Sequence, residues 1–110
     1  ALLRRGADVS LENSRGTTAL ILATVNGHEK PVELALRHGA EINLQCHYGI
    51  TPLMGAAGNG HEKVIGALIQ AGAEIDQQSN TGATALVHAA CFNRPAVMLR
   101  LLRAGADMTL

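Results

Sequence analysis

The sequence predicts an all-α solenoid of stacked helix-turn-helix units with projecting β-turn loops, and three observations predict it. The first is a period of 33 residues, in which Gly-Ala recurs at Gly6-Ala7, Gly39-Ala40, Gly72-Ala73 and Gly105-Ala106. Gly16, Gly49 and Gly82 keep the same step, as do Thr18, Thr51 and Thr84, each followed two residues later by Leu20, Leu53 or Leu86. Self-similarity at one fixed step is the mark of a chain built from stacked supersecondary units. The second observation is apolar spacing of three and four within each period, which is helical and not the alternation of a strand. The third is compositional: 47% of the 110 residues are hydrophobic, yet there is one Tyr, one Phe and no Trp. Rings normally supply much of a core's buried area, so this core must be made of Ala, Leu, Ile, Val and Met.

Taken in order, the segment Ala1-Leu2-Leu3-Arg4-Arg5-Gly6 reads as the tail of a helix whose start is missing, as in a piece cut from a longer array. A partial repeat over 1–15 is followed by repeats at 16–48 and 49–81 and a nearly complete one at 82–110, all within a single domain. The first helix of each repeat is expected at about 18–26, 51–59 and 84–92. Thr18, Thr51 and Thr84 are placed to cap these helices, because a hydroxyl there accepts from an orphan backbone N–H. Pro52 suits the first helical position, where a missing N–H costs nothing. The buried face is Leu20, Ala23 and Thr24, then Leu53, Ala56 and Ala57, then Leu86, Ala89 and Ala90. Asn26-Gly27 and Asn59-Gly60 have the residues of a hairpin turn, but their flanks are helical, so each glycine is expected as a left-handed helix cap. The second helices follow at about 28–38, 61–71 and 94–104. Their stripes are Val32, Ala35 and Leu36, then Ile65, Leu68 and Ile69, then Met98, Leu101 and Leu102. Pro31 and Pro95 fall in a first turn, where proline is tolerated, and Gly39, Gly72 and Gly105 end the helices.

The stretches Gly49-Ile50-Thr51-Pro52-Leu53-Met54-Gly55-Ala56-Ala57-Gly58-Asn59-Gly60-His61 and Ala71-Gly72-Ala73-Glu74-Ile75-Asp76 resemble the ankyrin repeat, and the resemblance extends over essentially the whole chain. It implies a right-handed stack of helix pairs that binds other proteins and catalyses nothing. One departure runs through all three repeats: the His that usually follows Thr-Pro-Leu is Ile21, Met54 or Val87. The loop-tying hydrogen bonds of that His must be made otherwise or not at all, with packing carrying more of the load. The third repeat also has Asn93-Arg94 in place of Gly-His. Neither end carries a polar capping repeat, so both are expected to expose apolar surface. Self-association through stripes such as Met98, Leu101 and Leu102 is the corresponding expectation.

Lys plus Arg is 9 and Asp plus Glu is 9, giving a formal charge of zero. That disfavours nucleic acid, whose binding rests on neutralised phosphates, and a polybasic membrane patch. The longest apolar run is five residues, Ala19 to Ala23, where a bilayer span needs about 20. Cys46 and Cys91 have no CxxC spacing and are too few for a disulfide scaffold, which points to a reducing intracellular setting, cytoplasmic or nuclear. His28, His38, His47, His61 and His88 form no i, i+4 ligand pair and no zinc-finger cluster with the cysteines. Adjacent Cys46 and His47 point apart. There is no G-x-S-x-G, no P-loop lysine and no catalytic carboxylate pair, so neither a metal, a cofactor nor an enzymatic site is expected.

What remains is a surface. The resemblance implies that a protein or peptide partner docks on the loop tips and the exposed, slightly concave side of the first helices. By register the contact positions include Arg15, Val25 and Asn26 in the first repeat. The second contributes Gln45, His47, Tyr48, Ile50 and Asn59, and the third Gln78, Asn80, Thr81, Cys91 and Phe92. Both aromatics of the chain fall in this set, and binding hot spots favour rigid aromatic anchors. The competing reading is that Tyr48 covers its own loop and Phe92 folds back over the end of a first helix, filling gaps left by alanines. At the level of function the alternatives are a spacer inside a longer array and a regulatory domain restraining an enzymatic domain of the parent protein. Asn43 is similar to loop asparagines that are hydroxylated in some ankyrin proteins, although the leucine usual eight residues earlier is Ala35 here.

Overall fold

The computed structural model describes residues 18–107, so Arg15 and the partial first repeat lie outside the described residues. The described part of helix α1 covers 18–26 and is followed by α2 (Glu29–Arg37), α3 (Pro52–Asn59), α4 (Glu62–Gln70), α5 (Ala85–Cys91) and α6 (Pro95–Arg103), with a 3-10 turn at His47–Gly49. There is no strand among the described residues. First helices pack side by side in one row, α3 against α5, and second helices in another, α2 against α4 against α6. Within a repeat α3 packs on α4 and α5 on α6.

The helix ends follow from local chemistry. Thr51 and Thr84 are extended, and their Oγ1 atoms accept from Met54 N at 3.3 Å and Val87 N at 3.4 Å. Thr18 differs from the expectation, being itself helical in the described residues. Gly27 (φ 73) and Gly60 (φ 75) close the first helices in the left-handed region, and Asn93 (φ 57) does the same in the third repeat. Asparagine is the side chain that best tolerates this conformation after glycine. The second helices are one residue shorter at each end than expected. His28, His61 and Arg94 have non-helical ψ of 97°, 82° and 72° and serve as N-caps, while His38, Ala71 and Ala104 are C-caps.

The core lies between the two rows. Leu20, Val32, Leu53, Met54, Ile65, Leu68 and Leu101 are buried, with alanines 23, 35, 56, 57, 85 and 89 between them. Small residues let the helix axes approach, which accounts for a core that uses no ring. Val64 and Val97 are also fully buried and were missed, because the first repeat carries exposed Pro31 at that register. Ala90 is exposed where its counterpart Ala57 is buried, because no described helix stacks on the far side of α5. Leu101 is fully buried, Met98 is partly covered against the core, and Leu102 is half-buried. The stripe expected to lie open is therefore largely covered, with α6 packed on α5 and α4.

Candidate protein-binding surface

Two turns one period apart build the loop edge in the same way. Cys46 N donates to Ile50 O at 2.7 Å and Gly49 N to Cys46 O at 3.0 Å; Ser79 N donates to Ala83 O and Gly82 N to Ser79 O, both at 2.9 Å. Loop tying, left open by the missing His, is carried by other groups. Gln45 Nε2 donates to Gln78 O at 2.8 Å and to Gly49 O at 3.1 Å, and Asn80 N donates to Tyr48 O at 2.9 Å. Asn43 Oδ1 accepts from Glu74 N and Asp76 Oδ1 from Asp107 N, each at 2.8 Å. At the opposite helix ends His61 Nε2 meets Val25 O at 2.9 Å and Arg94 Nε donates to Gly58 O at 3.1 Å. Of the three residues in the His position, Met54 is buried in the core, Ile21 half-buried and Val87 exposed.

The expected contact residues lie along the turns and the first helices, out to the helices' C-terminal ends, with different degrees of freedom. Val25, Asn26, Asn59, Gln78, Asn80, Thr81 and Cys91 are exposed. The Asn26 amide donates back to Leu22 O at 2.8 Å, and the Thr81 hydroxyl pairs with Ser79 Oγ at 3.0 Å. Gln45 is exposed, but its amide nitrogen already serves two carbonyls. Ile50 is half-buried and packs on the core. His47 opens the 3-10 turn. Tyr48 is 79% exposed and does not cover its loop. Its φ of 65° puts a bulky residue in the left-handed region, an outlier of the kind that clusters at functional sites. Phe92 is 60% exposed, and its ring stands beside Gly58, where a Cβ would lie 3.4 Å from Cδ2.

Sequence reasoning did not foresee the shape between these residues. At one register the first helices present Leu22, Gly55 and His88, and at the next Val25, Gly58 and Cys91. The middle helix thus carries glycine where its neighbours carry side chains; the Phe92 ring lies over Gly58, and a trough is left on α3 at Gly55. Mid-helix glycine costs about 1 kcal/mol relative to alanine, and a Cβ on Gly55 would meet nothing within 4 Å. Packing therefore does not require the glycine. On one side the trough deepens into an apolar cleft of about 70 Å³ between α1 and α3, beneath the turn that carries Tyr48, with Ile21, Val25, Ile50 and Pro52 among its walls. Thr24 and Cys46 also line it. The Thr24 hydroxyl is buried without a hydrogen-bond partner.

His88 stands on the other side of the trough, its Nε2 buried and unpartnered. Burial pushes its pKa below the usual 6.5. The folded state therefore binds the proton less readily than the unfolded chain. The contribution of the neutral ring is complete above about pH 6.5 and is lost as pH falls through the folded pKa. Thermal melts between pH 7.5 and 5 are expected to show a falling midpoint, and His88→Gln is expected to flatten that fall. An unchanged slope in the variant would assign the pH dependence to other groups.

Cys46 and Cys91 are free thiols. Among the described residues no group of three or more His, Cys, Asp or Glu could hold a metal ion, and no helix is long and apolar enough to cross a membrane. No curated protein matches the chain. A family model described as ankyrin repeats (3 copies) matches residues 1–79 and 32–110, which together span the whole sequence. With paired helices at a 33-residue step, left-handed glycines at their ends and turns that repeat bond for bond, the chain belongs to the ankyrin-repeat family.

Proposed function

We propose that this chain is a non-catalytic module that binds a protein or peptide on the surface formed by its turns and first helices. The observation that carries the reading is where the large exposed apolar side chains lie. Leu22, Val25, Val87 and Phe92 fall on first helices or their ends, and Leu44 and Tyr48 on the loop that leads into α3, against Leu34 and Leu99 on second helices. Ankyrin repeats are in general protein-interaction modules, and a solenoid offers an extended wall for such contacts. A neutral wall with exposed amides at Asn59, Gln78 and Asn80 suits a polypeptide better than a polyanion. The free cysteines support an intracellular setting,.

The test is capture of partners by the 110-residue chain beside a Tyr48→Ala, Phe92→Ala double variant. Each ring is expected to contribute about 2 kcal/mol to binding, so the double variant should lose its partners while its melting midpoint stays nearly unchanged. Alanine at position 48 bears the same left-handed backbone cost as tyrosine, which is why stability should hold. Captured proteins that are indifferent to both changes would place the contact elsewhere.

A further inference from the structure

Three residues that a stability argument would disfavour stand around one cleft. Gly55 lacks a Cβ for which there is open space, Thr24 buries a hydroxyl with no partner, and the turn above holds Tyr48 at φ 65°. Each breaks a local rule without a compensating packing gain in the fold, and such violations gather where function requires them. The cleft sets limits on what can enter. Its volume is about 70 Å³, whereas an apolar cavity of about 150 Å³ takes benzene; room for roughly three or four heavy atoms follows. No charged residue lines it, so an ionised group would enter without compensation. Its one unsatisfied polar group is the Thr24 hydroxyl, 1% exposed at the floor. A helical threonine populates two χ1 wells, and exchange between them swaps the hydroxyl with a methyl of similar size.

The geometry points to this cleft as the subsite for one short, branched, uncharged side chain of the partner protein, of threonine or valine size, with a hydroxyl favoured by Thr24. The assignment rests on the binding-module reading and gives that surface its anchor chemistry. Aromatic side chains are too large, and lysine or glutamate would carry an uncompensated charge. Gly55 leaves the approach along α3 open, and Val25 and Ile50, both on the expected contact list, become walls of a pocket and not isolated contacts.

The probe is isopropanol, which presents a branched, neutral group with one hydroxyl. Titrated into isotope-labelled 110-residue chain, it is expected to shift the methyl signals of Ile21, Thr24, Val25 and Ile50 together and saturably. Isopropylammonium at the same concentrations is expected to leave them unmoved. Gly55→Leu, which projects a side chain into the approach, should weaken the isopropanol response at least tenfold, with a thermal melt confirming the fold; Gly55→Ala serves if leucine disturbs it. Shifts spread evenly over the surface, or equal responses to both probes, overturn the assignment. The two readings fail differently. Partners that bind the native chain and Gly55→Leu equally remove the cleft while sparing the module. Partners insensitive to Tyr48 and Phe92 remove the module's surface, and the cleft assignment with it.

Discussion

Replacing Gly49 by alanine is expected to destabilise the fold by about 2–3 kcal/mol, lowering the melting midpoint by roughly 10 °C for a domain of this size. Two causes combine. The backbone at Gly49 has φ 74°, where an L side chain costs about 1–2 kcal/mol. A Cβ there would also lie 2.6 Å from Asn80 Oδ1 and 2.9 Å from Asn80 N. The amide side chain can swing away; the backbone nitrogen cannot move without stretching its bond to Tyr48 O, itself worth about 1 kcal/mol. Gly82 supplies the control. It occupies the same place in the next turn at φ 83° and has nothing within 4 Å of an added Cβ. Gly82→Ala should therefore lose only the backbone share, and denaturant melts of the two variants would measure the close approach by difference. Equal losses would show that the turns are not pressed together as described.

Thr24→Val is expected to act in the opposite direction, stabilising the chain by about 1–3 kcal/mol. The hydroxyl is buried with no partner, so folding strips it of water and returns nothing. Valine keeps the β-branched shape and nearly the same helical propensity, and the equivalent first-helix positions already hold Ala57 and Ala90. A gain in midpoint of several degrees in thermal melts is the expected result. A loss would mean that the hydroxyl is bonded in solution, which would also remove the polar argument for the cleft. The combination to look for is a more stable chain that binds its partner less well.

Much of this molecule is legible in the sequence, because the features that shape it are local and recur every 33 residues. Thr51 and Thr84 cap as their position demands, and Gly27 and Gly60 adopt the left-handed conformation that glycine permits. The extra residue assigned to each end of the second helices comes from reading caps as helix, since His61 and Ala71 differ from their helical neighbours in backbone angles alone.

What escaped the sequence depends on atoms far apart in it. Gln45 looks like a free amide, and only folding shows that Gln78 O is its partner, because a backbone acceptor has no letter. Thr24 reads as an ordinary helical threonine, which normally bonds within its own helix; its orphaned hydroxyl follows from how α1 sits. Tyr48 gives no hint of its positive φ, since a bulky side chain is a poor candidate for that region. The trough needs three helices in view at once, because Gly55 has meaning only between Leu22 and His88.

The bonds that bridge the repeats reach 31 to 38 residues along the chain, from Asn43–Glu74 at the short end to Arg100–Glu62 at the long. None of these bonds among the described residues skips a unit, so each turn is tied to its neighbours. Such a chain is tolerant and intolerant of editing at once. Excising one whole period from the middle would keep donors such as Arg94 in register with an acceptor of the same kind, Val25 O in place of Gly58 O. Deleting a single residue at a turn would put all later donors out of phase with their acceptors. Evolution of this surface is thereby channelled toward point substitutions and toward gain or loss of entire units, with little room between.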